Sequence, residues 1–209
     1  YLRENYVGGF VSERQAESVL RVPVAASVPR VRLSGTGRDF SSPADMVVAE
    51  PISVYAESIR RIRASVDHAP SGPGKQHGPG HGTVLMVTSA VPGEGKSSLA
   101  LALGRTYAIS GKRAILIDCD LRKPSVHRHL NIQPTAGLYD YLSNRGDDSR
   151  IGDFLTRDPL TPLTVATGLR PSAGATDHLV MGATFDKLLD AAVENFEIVI
   201  LVAPPIGPI

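Results

Sequence analysis

The sequence predicts an α/β fold: a parallel sheet with helices on both faces, preceded by an N-terminal appendage that carries its own helix. Two observations predict it. From Thr83 onward, apolar runs of strand character alternate with helical stretches, the order that produces a parallel sheet with crossover helices. The first of these runs, TVLMV, leads through the glycine-rich SAVPGEGKSS, residues 89–98, into the helical LALALGRTYAI.

That strand–loop–helix context gives the loop its chemistry. Ala90, four residues, then Gly95, Lys96 and Ser97 match the P-loop pattern G-x-x-x-x-G-K-[ST], with alanine for the first glycine. Gly93 and Gly95 let the backbone turn until successive N–H groups face one concavity. Together with the helix N-terminus they form an anion site. Lys96 would reach the β- and γ-phosphates, and Ser97 would offer its hydroxyl to magnesium. The fold class is therefore that of a P-loop NTPase.

A second constellation follows in AILIDCDLRKP, residues 114–124. An apolar strand ends at Asp118, with Asp120 two positions on, where open α/β sheets bind ligands. Two acids beside a phosphate loop can hold magnesium or accept a proton. They can also cap the next helix or pair with Arg122. Cys119 between them reads as a small residue packed behind the strand.

Composition bounds the rest. A chain of 209 residues suits one α/β domain with an appendage, and its formal net charge of +1 gives no strong field toward nucleic acid or anionic lipid. The single cysteine excludes an internal disulfide framework. No apolar stretch approaches the ~18 residues of a membrane span, and no signal peptide is visible. Both ends read as cuts through a larger protein.

Along the chain, the first forty residues are mixed, and RVPVAASVPRVRL reads as short extended pieces punctuated by Pro23 and Pro29. Tyr55, Ile59, Ile62 and Val66 form one apolar helical stripe. HAPSGPGKQHGPGHG reads as a mobile linker, and its His68, His77 and His81 as solvated residues without the fixed geometry a metal needs. Candidate strands are 84–89, 113–118, 162–166 and 197–203; residues 143–161 and 167–182 read as loop-rich with short helices. The chain thus divides into residues 1–68, a linker at 69–83, and a P-loop domain at 84–209.

MVTSAVPGEGKSSLALALG, AILIDCDLRKPSVHRHL, GLYDYLSN and VILVAPP together resemble the bacterial tyrosine autokinases (BY-kinases) of exopolysaccharide transport and chain-length control. The resemblance covers most of the chain. It implies ATP and Mg2+ as cofactors, and ATP-dependent tyrosine autophosphorylation that governs exopolysaccharide polymerisation and export. Lys96 and the backbone of Gly93, Glu94, Gly95, Ser97 and Ser98 then hold phosphates, and Ser97 serves magnesium. Asp118 and Asp120 become the acids for the metal and the tyrosine hydroxyl. RVPVAASVPR is similar to the segment leading from the membrane anchor into the kinase domain, on the cytoplasmic face of the inner membrane. Glu57, Arg60 and Arg63 match the family's Glu-x-x-Arg-x-x-Arg pattern for ring-like self-association, and on the helix drawn above they point away from its deepest apolar stripe. The family's acceptors are C-terminal tyrosines on a neighbouring subunit, and no equivalent cluster occurs among the six tyrosines here.

One position departs from the resemblance. VILVAPP places Val202 where the family carries its Walker B aspartate, and valine cannot bind metal-linked water. An alternative function is therefore a nucleotide-binding, catalytically weak module that regulates the same assembly. A partition or division-site ATPase fits less well, because those proteins carry a lysine where this chain has Val91.

Overall fold

The computed structural model describes residues 10–31, 40–69, 82–144, 151–169 and 177–207. His77, His81 and most of the Pro/Gly-rich linker lie outside them.

Helix α1, Glu13–Leu20, starts where the Ser12 side chain accepts the Gln15 N–H, and it buries none of its residues. It is a helix within a region that reads as mixed. Residues 22–31 then run without regular structure, as their two prolines dictate. A 3-10 turn, Pro43–Asp45, is closed by a capping box between Ser42 and Asp45, and the short helix α2, Met46–Ala49, continues it. Ser53 caps helix α3, Val54–Asp67. Tyr55 and Ile59 of the predicted stripe are buried, whereas Ile62 and Val66 are half-buried.

The P-loop domain proceeds through β1, Thr83–Val87; α4, Lys96–Ile109; β2, Ala114–Asp118; α5, Val126–His129; α6, Leu138–Ser143; and α7, Ile151–Phe154. It closes with β3, Leu155–Arg157; β4, Thr164–Ala166; α8, Asp177–Val180; α9, Ala183–Asn195; and β5, Ile198–Val202. The sheet runs in the order β1-β5-β2-β4-β3. The four predicted strands pair in parallel, and β3 adds an antiparallel edge against β4. The loop-rich reading of 143–161 thus gains one short strand.

Period-two alternation divides the sheet's side chains between two layers. Ala114, Leu116, Val165, Ile198, Ile200 and Val202 pack toward α3 and α4. Ile115, Ile117, Ala166 and Val199 pack toward α6 and α9, through Leu138, Tyr141, Leu188 and Val193. Strand β2 is buried at all five positions, as a strand covered on both faces must be. Helix α4 is enclosed because α3 lies over it, and Tyr55, Ala56 and Ile59 share its core cluster. The appendage is therefore packed onto the P-loop domain. No described helix is long and apolar enough to cross a membrane.

Candidate active site

The glycine loop joins β1 to α4. Gly93 and Gly95 have φ of +86° and +90°, a region that side-chain-bearing residues rarely adopt, and Gly95 opens α4. The segment after β5 braces the loop from behind. Ile206 and Gly207 donate their N–H groups to the carbonyls of Ser89 and Ala90, and the Thr88 hydroxyl donates to the Pro204 carbonyl at 2.7 Å. Glu94 belongs to this bracing. Its Oε2 accepts the N–H groups of Ala90 at 2.8 Å and Val91 at 3.1 Å, so its carboxylate satisfies the loop's own first amides. The Ser98 hydroxyl donates to the Gly95 carbonyl, which leaves its backbone N–H as the donor for a phosphate.

The two acids stand at the end of β2 in different environments. Asp118 is fully buried, and its Oδ2 accepts the N–H groups of Ser125 and Val126, both at 3.0 Å, where α5 begins. Its Oδ1 has no hydrogen-bond partner among the described residues. Burial pushes its carboxyl up to about 6, nearby Asp120 adds to the rise, and the two N–H groups and Lys96 oppose it. Asp120 instead faces the loop. Its Oδ2 lies 2.7 Å from Lys96 Nζ, and its Oδ1 accepts the Lys123 N–H. The capping reading holds for Asp118, which serves the next helix, while Asp120 pairs with Lys96. The Ser97 hydroxyl accepts a 2.7 Å hydrogen bond from Ser125 Oγ. Cys119 packs behind the strand, on the opposite face from Asp118, and burial raises its thiol.

A cavity of about 310 Å³ opens over the loop, lined by Gly93, Gly95, Lys96, Ser97 and Asp120. Its far wall is Lys123, Ser125, Arg128 and His129. Arg128 and His129 were not singled out in the sequence; the available signal was the basic run VHRH behind the acids. The cavity thus presents three permanent cations against one carboxylate, a field suited to phosphate. Magnesium fits the donors present. Asp118 Oδ1 is a buried oxygen without a hydrogen-bond partner among the described residues, and Ser97 and Asp120 line the cavity with oxygens of their own. Among the described residues no cluster of three or more acids, histidines or cysteines could hold a metal alone. One or two carboxylates plus substrate phosphates is how magnesium is commonly held.

Val202 stands in register with Asp118 across the β2–β5 pair and with Val87 across β1–β5, fully buried. Its side chain shares Asp118's face of the sheet, packed with the α4 core. Glu57, Arg60 and Arg63 do not form one free face. Arg60 pairs with Glu57 at 2.6 Å and donates to the Pro51 carbonyl. Arg63 folds back onto α4, with its guanidinium 4.9 Å from the Tyr107 ring centre and its N–H directed at the Thr106 carbonyl.

No protein-family model matches the chain. Among curated proteins it is 34% identical over 125 residues to the tyrosine-protein kinase YwqD of Bacillus subtilis, which covers 56% of this chain and 50% of that protein. It is 28% identical over 166 residues to the succinoglycan biosynthesis transport protein ExoP of Rhizobium meliloti, covering 78% of this chain and 20% of ExoP. The chain spans between 20% and 50% of the length of these two relatives. Among solved structures, the chimerical protein CapA2B2 superposes with a TM-score of 0.78 at 27% identity, over 95% of this chain and 77% of that one. The kinase domain of the Escherichia coli tyrosine kinase ETK shares the fold with a TM-score of 0.75 at 23% identity, over 94% and 74%. Sequence relatives and fold agree: the chain is similar in sequence to bacterial tyrosine-protein kinases and shares the fold of a solved tyrosine-kinase domain.

Proposed function

We propose that this chain is the ATP-dependent kinase domain of a protein that autophosphorylates on tyrosine and regulates exopolysaccharide polymerisation and export. The observation that carries the reading is the Lys96–Asp120 pair at the glycine loop, with the buried Asp118 Oδ1 left without a partner among the described residues. On this reading the backbone N–H groups from Gly93 to Ser98 and the Lys96 ammonium hold the phosphates. Ser97, Asp118 and Asp120 hold magnesium, and Glu94 keeps the loop in shape. Magnesium, when bound, neutralises charge on the β- and γ-phosphate oxygens. Phosphoryl transfer asks the protein mainly for position and charge, so the chain's own part is to hold the phosphates and to exclude loose geometries. A carboxylate of the Asp118–Asp120 pair accepts the proton of the incoming tyrosine hydroxyl.

Three of the described tyrosines are poorly placed as acceptors. Tyr55 and Tyr107 are buried, and desolvation raises both phenols, Tyr55 to about 12. Tyr141 is buried among α6 and α7, with its ring against Phe154. A tyrosine-rich tail of a neighbouring subunit fits this arrangement, with residues 1–68 leading from a membrane anchor at the cytoplasmic face of the inner membrane, 69–83 linking, and 84–209 carrying the kinase. Val202 favours the second reading, a nucleotide-binding module of weak catalytic power; the tyrosine-kinase relatives favour the first.

The test is transfer of the γ-phosphate from labelled Mg–ATP to tyrosine in the parent protein, with Lys96→Met as the control. Transfer that Lys96→Met abolishes supports the kinase. Mg–ATP binding without transfer leaves the regulatory module, and no binding by the parent protein rejects both.

A further inference from the structure

His129 closes α5 and lines two cavities at once. On one side is the phosphate cavity over the glycine loop. On the other is a cavity of about 480 Å³ shared with Phe40, Ser41 and Asp45 of the appendage and with Arg105 of α4. The His129 ring Nδ1 lies 3.0 Å from Ser42 Oγ, its one hydrogen bond among the described residues. Ser42 is fully buried and lies 87 positions away in sequence.

One arrangement of the protons gives the Ser42 hydroxyl hydrogen a partner on this contact. Ser42 Oγ already accepts the Ala44 N–H of the 3-10 turn at 3.2 Å, and Ser42 N donates to Asp45 Oδ2. The hydroxyl hydrogen makes no other hydrogen bond among the described residues, so it is directed to His129 Nδ1. Nδ1 is then the acceptor, and the proton of the neutral ring sits on Nε2. Burial, reinforced by Arg128, keeps the imidazole below its ordinary titration range and therefore neutral near pH 7. Nε2–H makes no hydrogen bond to any described residue, and His129 lines the phosphate cavity as well as the one shared with the appendage. A neutral donor without a partner among the described residues suits an anionic oxygen, and the cavity that His129 lines is also lined by Lys96, Lys123 and Arg128.

Resting on the nucleotide reading above, we propose that His129 is a further phosphate-binding residue, donating Nε2–H to a phosphate oxygen of bound ATP, and that Ser42 of the appendage fixes the tautomer that makes it a donor. The segment ahead of α2 thereby acts on the nucleotide site through the Ser42–His129 hydrogen bond. Asp45, one turn along, ties the same segment to α4 through Arg105 at 2.6 Å, so Ser42 is held in place from both ends of its turn.

The experiment uses the 209-residue chain and two readouts: calorimetry with Mg–ATP, and ¹⁵N chemical shifts of the His129 ring. Loss of one hydrogen bond to a charged group weakens binding roughly tenfold. His129→Ala is therefore expected to weaken Mg–ATP about tenfold, and His129→Gln, whose amide can donate, to recover part of the loss. Ser42→Ala is expected to weaken Mg–ATP by a smaller factor and to turn the Nε2–H signature of His129 into a mixture of tautomers. Wild-type affinity in His129→Ala, or a wild-type ring protonated on Nδ1 alone, overturns the proposal while the nucleotide reading stands. Absence of Mg–ATP binding in the wild-type chain overturns the nucleotide reading and this proposal with it.

Discussion

Lys96 Nζ lies 2.7 Å from Asp120 Oδ2, and the two side chains are only 11% and 3% exposed. The loop lysine is thus held by a carboxylate before any phosphate arrives. Removing one member of a buried pair leaves an uncompensated charge, at a cost of about 3–5 kcal/mol. Lys96→Met is expected to lower the melting temperature and to remove most Mg–ATP affinity. The double variant Lys96→Met/Asp120→Asn is expected to regain most of the stability without regaining the nucleotide. Thermal melting and calorimetry on both variants check this; equal melting of single and double would show that the pair does not couple.

What could be read in the sequence, and what could not, follows from where each signal resides. The loop and the acids are local patterns: the glycines that require positive φ lie within three residues of Lys96, and β2 announces itself as an unbroken apolar run. Strand β3 carries no such run. Leu155–Arg157 is three residues long and half-exposed, and its pairing with β4 is set by the turn in which Asp158 N donates to the Leu163 carbonyl. Long-range polar contacts are equally silent. Arg105, within an apolar helical run, is buried between Asp45 and Asp158 at 2.6 and 2.8 Å, partners 60 and 53 positions away. Glu94 was legible as part of the loop, but not that its carboxylate turns back on Ala90 and Val91.

Asp118 sets a pH dependence. Its folded-state carboxyl is pushed up to about 6 from an ordinary value near 4, so the folded chain holds this proton more tightly than the unfolded one. Stability from this group is therefore full below pH ~4 and is lost as pH rises toward 6, by about 3 kcal/mol at ~1.4 kcal/mol per unit. Asp118→Asn keeps an oxygen for the Ser125 and Val126 N–H groups and has no proton to lose. Its denaturant stability is expected to fall less than wild type between pH 4 and 6. Parallel profiles would mean that Asp118 ionises in the folded chain without penalty.

Self-association through α3 can be tested without disturbing the core. Glu57 and Arg60 are exposed, with side chains 52% and 44% accessible, while Arg63 rests on Tyr107. Exposed substitutions change stability within about 0.5 kcal/mol. Glu57→Ala/Arg60→Ala is expected to melt like wild type and to lower the mass of any oligomer seen by light scattering. Arg63→Ala should also destabilise, because it loses a contact within the subunit. An oligomer of unchanged mass in the double variant would exclude this face as the contact.

Val202 offers the sharpest test of catalytic competence, because the strand register places it beside Asp118 on the same face. Val202→Asp would set a second carboxylate against one that is already reluctant to ionise, at a fully buried position. Without a cation the two repel, and an unpaired buried charge is costly, so the empty variant is expected to melt well below wild type. With Mg–ATP the new carboxylate gains a partner, and nucleotide should raise its melting temperature by more than it raises that of wild type. Outer-shell metal partners are worth ~10–100-fold, and tyrosine phosphorylation in the parent protein should rise by about that factor. ATP affinity should change less, since the loop amides and Lys96 carry most phosphate contacts. A folded Val202→Asp protein that binds ATP yet transfers no faster than wild type would place the limiting defect away from this strand end, and would advance the regulatory-module reading over the kinase.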